Sequence, residues 1–307
     1  MSDDSLGKVK ELRDRTGAGI QDCKIALSEN GYDIEKSIEY LRKKGISKAA
    51  KKSSRDAAEG LICISDNDKL ACIIEINSET DFVAKNDKFL KFCNEILKVA
   101  LKKIFTLNEL LNEKNNNIFI KDLLVELVSQ IGENIKIRRI DYLNKDNFLV
   151  EKYIHNPVTS NLGKIGVLVS SNSKKKDTKA FDFTKKIGMH IAAMAPIALS
   201  ENDLDKEFLN KEKEILIEEL KNEGKKDNMI NKIMIGKLKK VVDDNTLLGQ
   251  KWIYDNQKSV LQALKEYEKE TGDNISLQGF IRFKVGEGVD LKKKSFDEEV
   301  KSLAGTV

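Results

Sequence analysis

"GLICISDNDKLACIIEIN", residues 60–77, is the stretch of sequence that decides the fold. Two apolar runs flank the polar triplet Asp66, Asn67 and Asp68, and this pattern is typical of a β-hairpin. Helix-like apolar spacing follows at residues 87–103. After a second helical stretch comes a third strand-like run, so this half of the chain predicts a ββα…β unit.

The second half of the chain repeats this order with little sequence identity. Residues 148–171 predict another hairpin, with His155 at its turn, residues 181–196 another helix, and residues 279–289 another late strand. We therefore expect an α+β fold whose core contains two repeated ββα…β subdomains.

The first 45 residues predict three short amphipathic helices that pack on one another as a small module. Asp33 is expected to cap the third helix, and Gly31 and Gly45 to end the second and third helices. A basic segment, residues 42–55, begins at the end of this module. Its cations are Arg42, Lys43, Lys44, Lys48, Lys51, Lys52 and Arg55. Either it contacts nucleic acid or the ribosome, or it is a solvated linker. The near balance of 54 basic and 50 acidic residues in the whole chain favours the linker.

Residues 201–246 form an insertion in the second ββα…β repeat, with two charged helices around the turn "EGKKD". The spacing of their apolar residues suits an antiparallel helical hairpin with coiled-coil character. Those apolar residues are Leu204, Phe208, Ile215, Ile230, Met234, Leu238 and Val241.

The sequence offers little covalent chemistry. The four cysteines are scattered, which predicts free thiols in a reducing cytoplasm, and neither histidine is placed beside a promising nucleophile. No phosphate-binding loop pattern is present, and no apolar run approaches the ~20 residues that a membrane span needs. We expect a cytoplasmic binding protein, not an enzyme, with no cofactor, no metal, no bound nucleotide and no membrane contact.

"SETDFVAKND", residues 78–87, poses the sharpest question, because Asp81 and Phe82 directly follow a buried strand. In an ordinary strand-to-helix turn, Thr80 would cap the helix, Asp81 would favour its N-terminus, and Phe82 would join the core. Alternatively, the stretch is a tip that pushes a charge and a ring into another molecule.

Several strings together carry a resemblance to a known family. They are "VKELRDRTGAGIQDCKIAL" (9–27), "AAKKSSRDAAEGLI" (49–62), "EINSETDFVAKND" (75–87), "IGENIKIRR" (131–139), "IGVLV" (165–169), "MHIAA" (189–193) and "GFIRFKVGEG" (279–288). In this order the chain resembles bacterial elongation factor Ts, the guanine-nucleotide exchange factor of elongation factor Tu, over nearly its whole length.

The resemblance implies a domain order and a partner, which is the GTPase elongation factor Tu. The implied parts are a helical module like the ubiquitin-associated domain (1–45), a basic linker (46–56), a first core subdomain (57–143), a second one (148–200 and 247–286), the helical hairpin (201–246) and a C-terminal module (287–307). The hairpin is linked to dimerisation in some members of the family, so a homodimer or a 2:2 complex with the partner is open.

The resemblance also implies roles for individual residues. The pair matching Asp81 and Phe82, flanked by Thr80 and Val83, enters the partner near its Mg²⁺ and phosphate sites, and the ring displaces the loops that hold them. Further contacts carried over by position are Arg13, Ile20, Gln21, His190, Ile253 and Tyr254.

The chain departs from the family pattern at three places. Gln21 replaces a second apolar residue, Lys251 and Trp252 stand where Pro-Phe is expected, and the turn at 156–163 lacks the usual glycine-rich form. Rival interpretations are an RNA-binding scaffold, a structural oligomer built on the helical hairpin, and a paralogue that serves another translational GTPase.

Overall fold

The computed structural model describes residues 3–289 and divides them into two compact units. The first unit comprises residues 3–63, Ile74–Ile140 and 284–289, and the second comprises Ile64–Ile73 and Asp141–Phe283. The domain boundaries expected above stay predictions. Most of the expected C-terminal module, residues 290–307, lies outside the described residues.

The described residues form a mixture of helices and strands, as an α+β fold requires. The helices are α1 (Asp3–Thr16), α2 (Ile20–Glu29), α3 (Ile34–Lys52), α4 (Asp87–Ala100), α5 (Leu107–Leu111), α6 (Ile120–Ile131), α7 (Thr178–Met194), α8 (Lys206–Asn222), α9 (Asp227–Asn245) and α10 (Val260–Thr271). The strands are β1 (Glu59–Asp66), β2 (Leu70–Ser78), β3 (Lys114–Asn115), β4 (Ile118–Phe119), β5 (Lys136–Asn144), β6 (Leu149–Thr159), β7 (Leu162–Ser173), β8 (Lys251–Trp252), β9 (Asp255–Ser259) and β10 (Ile275–Lys284). No helix among residues 3–289 is long and apolar enough to cross a bilayer.

One sheet of the described chain has six strands, in the order β10-β7-β1-β2-β5, with β6 paired to β7. Along the chain, the elements follow the order predicted for each ββα…β unit, which is β1-β2-α4…β5 in the first and β6-β7-α7…β10 in the second. The expectation for His155 is wrong, because His155 lies inside β6 opposite Ile165. The chain instead turns after Thr159, which pairs with Leu162.

The first three helices pack on a small apolar core that includes Leu12, Cys23 and Leu27. The carboxylate of Asp33 accepts from the Lys36 amide at 3.0 Å, which confirms the expected cap of α3. The expected end at Gly45 is wrong, because α3 continues to Lys52. Gly45 is buried against α6, where a Cβ would lie in ordinary contact, 3.4 Å from the Ser129 side chain, so it is a packed position inside the helix.

The basic segment is largely the second half of α3 and is held by ion pairs to neighbouring elements. Arg42 contacts Asp122 at 2.9 Å, and Lys44 and Lys48 contact Asp22 at 3.2 and 2.9 Å. These bonds lower the pKa of Asp22, that from Lys48 most. A freely solvated linker is therefore wrong for these residues, because helix and ion pairs order the segment.

Helices α8 and α9 pack side by side, as expected for the hairpin. Leu220, Ile230 and Met234 form their shared buried cluster. Ile215 was expected in the seam, but it is half-exposed, and its neighbour Leu216 is buried instead. The side of α8 that packs on α9 is therefore displaced by one residue, from Ile215 to Leu216, relative to the predicted spacing.

The Glu75 carboxylate on β2 is fully buried and organises the first unit. It accepts from Arg138 at 3.0 Å and from Arg139 at 2.6 Å, both on β5. It also accepts from the Asn77 side chain and, at 2.9 Å, from the Gly286 amide. Gly286 has a φ of +73°, and a Cβ there would meet the Ala58 carbonyl at 2.3 Å, so only glycine fits. One charge thereby joins β2, β5 and the segment after β10.

Replacing Glu75 with Gln should lower the free energy of unfolding by about 3 kcal/mol, because two guanidinium groups lose the full negative charge that they share. This value is at the low end of the range for buried ion pairs because the Arg138 and Arg139 side chains are 27% and 32% exposed. Urea unfolding followed by circular dichroism measures the change. Glu39→Gln is the control, since Glu39 pairs with Lys43 across one exposed turn of α3 and its loss should change stability little. Equal losses in both variants would contradict the assigned role of Glu75.

Candidate functional site

The stretch after β2 forms a short exposed turn, here called the tip (residues 79–82). A 3₁₀ turn, Val83–Lys85, follows it, with the Ala84 amide donating to the Asp81 carbonyl at 3.2 Å. Helix α4 then begins at Asp87, and the Asn86 side chain accepts from the Lys88 amide at 2.9 Å. The tip is thus a brief connection between a buried strand and a capped helix.

Phe82 is 79% exposed, the highest value among the large apolar side chains of the described residues. Asp81 beside it is also exposed. The alternative that Phe82 is a core residue is therefore wrong. Burying such a ring is worth about 1.5–3 kcal/mol, so a fold that leaves it in water forgoes a large stabilising contribution.

Val83 and Ala84 are buried at 5% and 2% exposure and anchor the far side of the tip. Val83, proposed as a contact residue, therefore has its side chain in the core and not on the surface. Exposure thus changes sharply between residues 82 and 83. The Phe82 ring lies in solvent, whereas the side chains of Val83 and Ala84 lie in the core.

Thr80 does not cap a helix as the ordinary-turn alternative supposed, because Asn86 caps α4. Instead, the Glu133 carboxylate accepts from the Thr80 amide at 2.9 Å and from the Thr80 hydroxyl at 2.7 Å. The Ser78 hydroxyl donates to the Thr80 carbonyl at 2.9 Å. Every hydrogen-bonding group of Thr80 is therefore engaged.

A second carboxylate links the same two segments in the opposite direction, from the tip to the residue after Glu133. Glu79 accepts from the Asn134 amide at 2.6 Å, while the Asn134 side chain donates to the Arg55 carbonyl at 2.6 Å. Glu79 also meets the Arg55 guanidinium at 3.5 Å. We call the set Glu79, Thr80, Glu133 and Asn134 the clasp.

Sequence reasoning missed both residues of the clasp that follow α6. The available signal was the string "IGENIKIRR", in which Glu133 and Asn134 had no assigned role. No local pattern shows that these residues lie beside Thr80, because the contact spans 53 positions of the chain.

The candidate contacts of the first module are exposed. Ile20 is 49% exposed at the start of α2, and Gln21 and Arg13 are also on the surface. The loop between α1 and α2 is fixed to its surroundings, since Gln130 and Lys88 donate to the carbonyls of Thr16 and Gly17 at 2.9 and 3.2 Å.

The second unit brings the remaining candidates together around Trp252. Ile253 and Tyr254 are 40% and 51% exposed, whereas His190 is completely buried. The His190 ring stacks on Trp252 at a centroid distance of 5.3 Å, and Trp252 contacts Tyr254 at 5.1 Å. His190 thus supports this exposed segment from below, and its direct contact with a partner would require that segment to move.

Hydrogen bonding sets the tautomer of His190. Gln250 donates its amide to the carbonyls of Met194 and Asp244, so its oxygen faces His190 Nε2 at 3.0 Å. That oxygen can only accept, and therefore Nε2 carries the proton. Nδ1 has no partner among the described residues, and burial lowers the pKa of His190.

No group of three or more His, Cys, Asp or Glu side chains in the described part of the chain is arranged to hold a metal ion. All four cysteines are buried free thiols, and burial raises the pKa of Cys63 well above its usual value. What the described residues do offer is an exposed turn that carries Asp81 and Phe82, and a second exposed segment that carries Ile253 and Tyr254. These are features of a contact surface.

Comparison with known proteins adds a family match. The model of the family described as Elongation factor TS matches residues 79–287. A curated protein named Elongation factor Ts from a Nitratiruptor species is 44% identical over 302 residues, covering 96% of this chain and 97% of the relative. Another from Clostridium perfringens (strain 13 / Type A) is 42% identical over 301 residues, covering 97% and 98%. A third, from Parvibaculum lavamentivorans, is 39% identical over 306 residues and covers 99% of both chains.

The burial of His190 predicts a pH dependence of stability. Its pKa in the folded protein is below the ordinary value of 6.5, so below that pH the unfolded chain binds more protons than the folded chain. The contribution of His190 to stability is therefore fully present above about pH 6.5 and decreases as the pH falls through the folded-state value. Urea unfolding between pH 5 and 8, followed by the fluorescence of the single Trp252 that stacks on His190, measures it.

His190→Gln should flatten this dependence, because the amide cannot titrate. His155→Gln is the matched control, since His155 is the other histidine of the chain and is exposed on β6. If His155→Gln flattens the curve and His190→Gln does not, the assignment to His190 is wrong.

Proposed function

The chain belongs to the elongation factor Ts family, and from that premise we propose that it is a guanine-nucleotide exchange factor. In this proposal it binds elongation factor Tu loaded with GDP, disturbs the Mg²⁺ and phosphate site, and promotes GDP release so that GTP can bind during translation elongation. The observation that carries the proposal is Phe82, which is 79% exposed on a turn fixed from both sides.

The chemistry of the partner explains how a ring and a charge act on nucleotide binding. Nucleotide affinity in such GTPases depends on loop amides, a lysine and Mg²⁺ around the phosphates. Entry of Phe82 and Asp81 at these loops separates several charge-assisted hydrogen bonds from the phosphates at once. No bond of the nucleotide is made or broken, so the factor needs no catalytic group and no cofactor of its own.

The free energy for this displacement comes from two sources. Burial of Phe82 supplies about 1.5–3 kcal/mol. The remainder comes from a wider docking surface, in which Arg13, Ile20 and Gln21 of the first unit and Ile253 and Tyr254 of the second make contacts. His190, Thr80 and Val83 belong to this surface as supports, because each is held within the fold beneath an exposed neighbour.

Binding of the factor and of GDP must oppose each other. A protein that weakens GDP binding is weakened by GDP to the same extent, because the coupling free energy is reciprocal. The factor therefore binds the empty GTPase best and leaves when GTP enters. As a translation factor it would work in the cytoplasm, as a monomer, a homodimer or a 2:2 complex with its partner.

The RNA-binding alternative receives less support. Most cations of the basic segment form ion pairs or hydrogen bonds within the fold, including Arg42, Lys44 and Lys48. Cations that are paired in this way are less available for the phosphate contacts that dominate nucleic-acid affinity.

Release of a fluorescent GDP from elongation factor Tu tests the proposal. The wild-type chain should accelerate release strongly, and Phe82→Ala should reduce the acceleration roughly 10- to 150-fold, the rate equivalent of about 1.5–3 kcal/mol. The variant should remain as stable as the wild type, because its ring is exposed in the free protein. Ile104→Ala removes another exposed apolar side chain, 59% exposed in the same unit, and should leave release unchanged.

The outcomes separate two levels of the proposal. If the wild type does not accelerate release, the exchange function is wrong. If the wild type and Phe82→Ala act equally, exchange stands and the wedge role of Phe82 is wrong.

A further inference from the structure

We propose that Glu133 is a positioning residue for nucleotide exchange, which holds Thr80 so that Asp81 and Phe82 are presented in one fixed orientation. The inference rests on the proposed exchange function and extends it to a residue outside the contact surface. It predicts that exchange depends on a side chain that need not touch the partner.

The carboxylate of Glu133 is placed to fix both the backbone and the side chain of Thr80. One oxygen accepts from the Thr80 amide at 2.9 Å, and the other accepts from its hydroxyl at 2.7 Å. With the Ser78 hydroxyl on the Thr80 carbonyl at 2.9 Å, three hydrogen bonds converge on the residue directly before Asp81.

On the other side of the tip, burial provides the second fixed point. Val83 and Ala84 are 5% and 2% exposed, and the Lys85 amide donates to the Phe82 carbonyl at 3.1 Å. Only Asp81 and Phe82 therefore lie between a hydrogen-bonded anchor and an apolar anchor. The ring is exposed, but the backbone that carries it has little freedom.

The end of α6 explains how Glu133 reaches this position. Gly132 has a φ of +87°, a left-handed conformation that ends the helix and turns the chain. The Lys52 ammonium donates to the Gly132 carbonyl, and the Asn134 amide donates to Glu79. Both neighbours of Glu133 are thus held, so its carboxylate is aimed at Thr80 before any partner arrives.

A fixed tip matters because the partner loops are held by strong contacts. A mobile tip would lose conformational entropy when it became ordered against those loops, and this loss would reduce the free energy available to displace them. The clasp meets that requirement in the free protein. Its loss should therefore lower the maximal exchange rate more than it weakens docking, which depends on other residues.

The choice of variants follows from the hydrogen-bonding groups. Glu133→Ala removes both contacts with Thr80. Glu133→Gln can retain both, because its carbonyl accepts from the Thr80 amide and its NH₂ donates to the Thr80 hydroxyl oxygen. Glu113→Ala is the matched control, since Glu113 is also a half-buried glutamate of the first unit but pairs with Lys102 at 4.0 Å.

The experiment measures release of fluorescent GDP from elongation factor Tu over a range of factor concentrations. Glu133→Ala should lower the rate at saturation about tenfold and change the half-saturating concentration by less than about threefold, the pattern of an interaction made mainly in the transition state. Glu133→Gln should restore most of the rate, and Glu113→Ala should match the wild type. Because Glu133 acts through Phe82, adding Glu133→Ala to Phe82→Ala should cause little further loss.

Each other outcome overturns the inference in a recognisable way. If Phe82→Ala is impaired and Glu133→Ala is not, only the positioning role fails. If the losses from Phe82→Ala and Glu133→Ala multiply in the double variant, Glu133 acts independently of the ring. If the wild type itself does not accelerate release, the exchange function fails together with the inference.

Thr80→Val is the second variant if Glu133→Ala does not fold. It keeps the amide contact with Glu133 and loses the hydroxyl contact, so an intermediate loss at saturation supports the positioning role. Full activity of a folded Thr80→Val would overturn the positioning role, since the 2.7 Å contact would then contribute nothing.

Discussion

The buried carboxylate of Glu75 is the interaction on which the arrangement of the first unit depends. Two arginines of β5 and the amide of Gly286 converge on it, so a central strand, an edge strand and the segment after β10 share one charge. An unpaired carboxylate at this depth would be very unfavourable, and its partners must therefore stay in register. The tip begins four residues later, directly after the end of β2, so the register of β2 determines where the tip emerges.

In the proposed function, the clasp stabilises the fold while the exposed ring contacts the partner. The clasp satisfies polar groups with short, reciprocal hydrogen bonds, while Phe82 remains 79% exposed one residue before a buried valine. Burial of the Phe82 ring in its own fold would stabilise the free protein, but no exposed ring would then remain for a partner to bind. The second unit follows the same rule, since the buried His190 and Trp252 lie beneath the exposed Tyr254.

Local patterns predicted the hairpin at 60–77, the cap at Asp33 and the two ββα…β orders, because each depends on residues near in sequence. They failed where a distant neighbour decides: Gly45 has the chemistry of a helix end, but packing against Ser129 makes it an interior residue. The tip was ambiguous for the same reason, since the partner of Thr80 lies 53 positions away. The role proposed for Asp81 and Phe82 came from family resemblance, and no periodicity could have predicted their exposure.

The most direct test of the account is the binding of this chain to elongation factor Tu with and without GDP, measured by calorimetry for the wild type and Phe82→Ala. If the fixed tip opposes the nucleotide, the wild type binds the empty GTPase far more tightly than the GDP-bound form, and Phe82→Ala loses most of that preference. An equal preference for the empty form in both proteins would contradict the account. The coupling between factor and nucleotide would then arise from the docking surface and not from the tip.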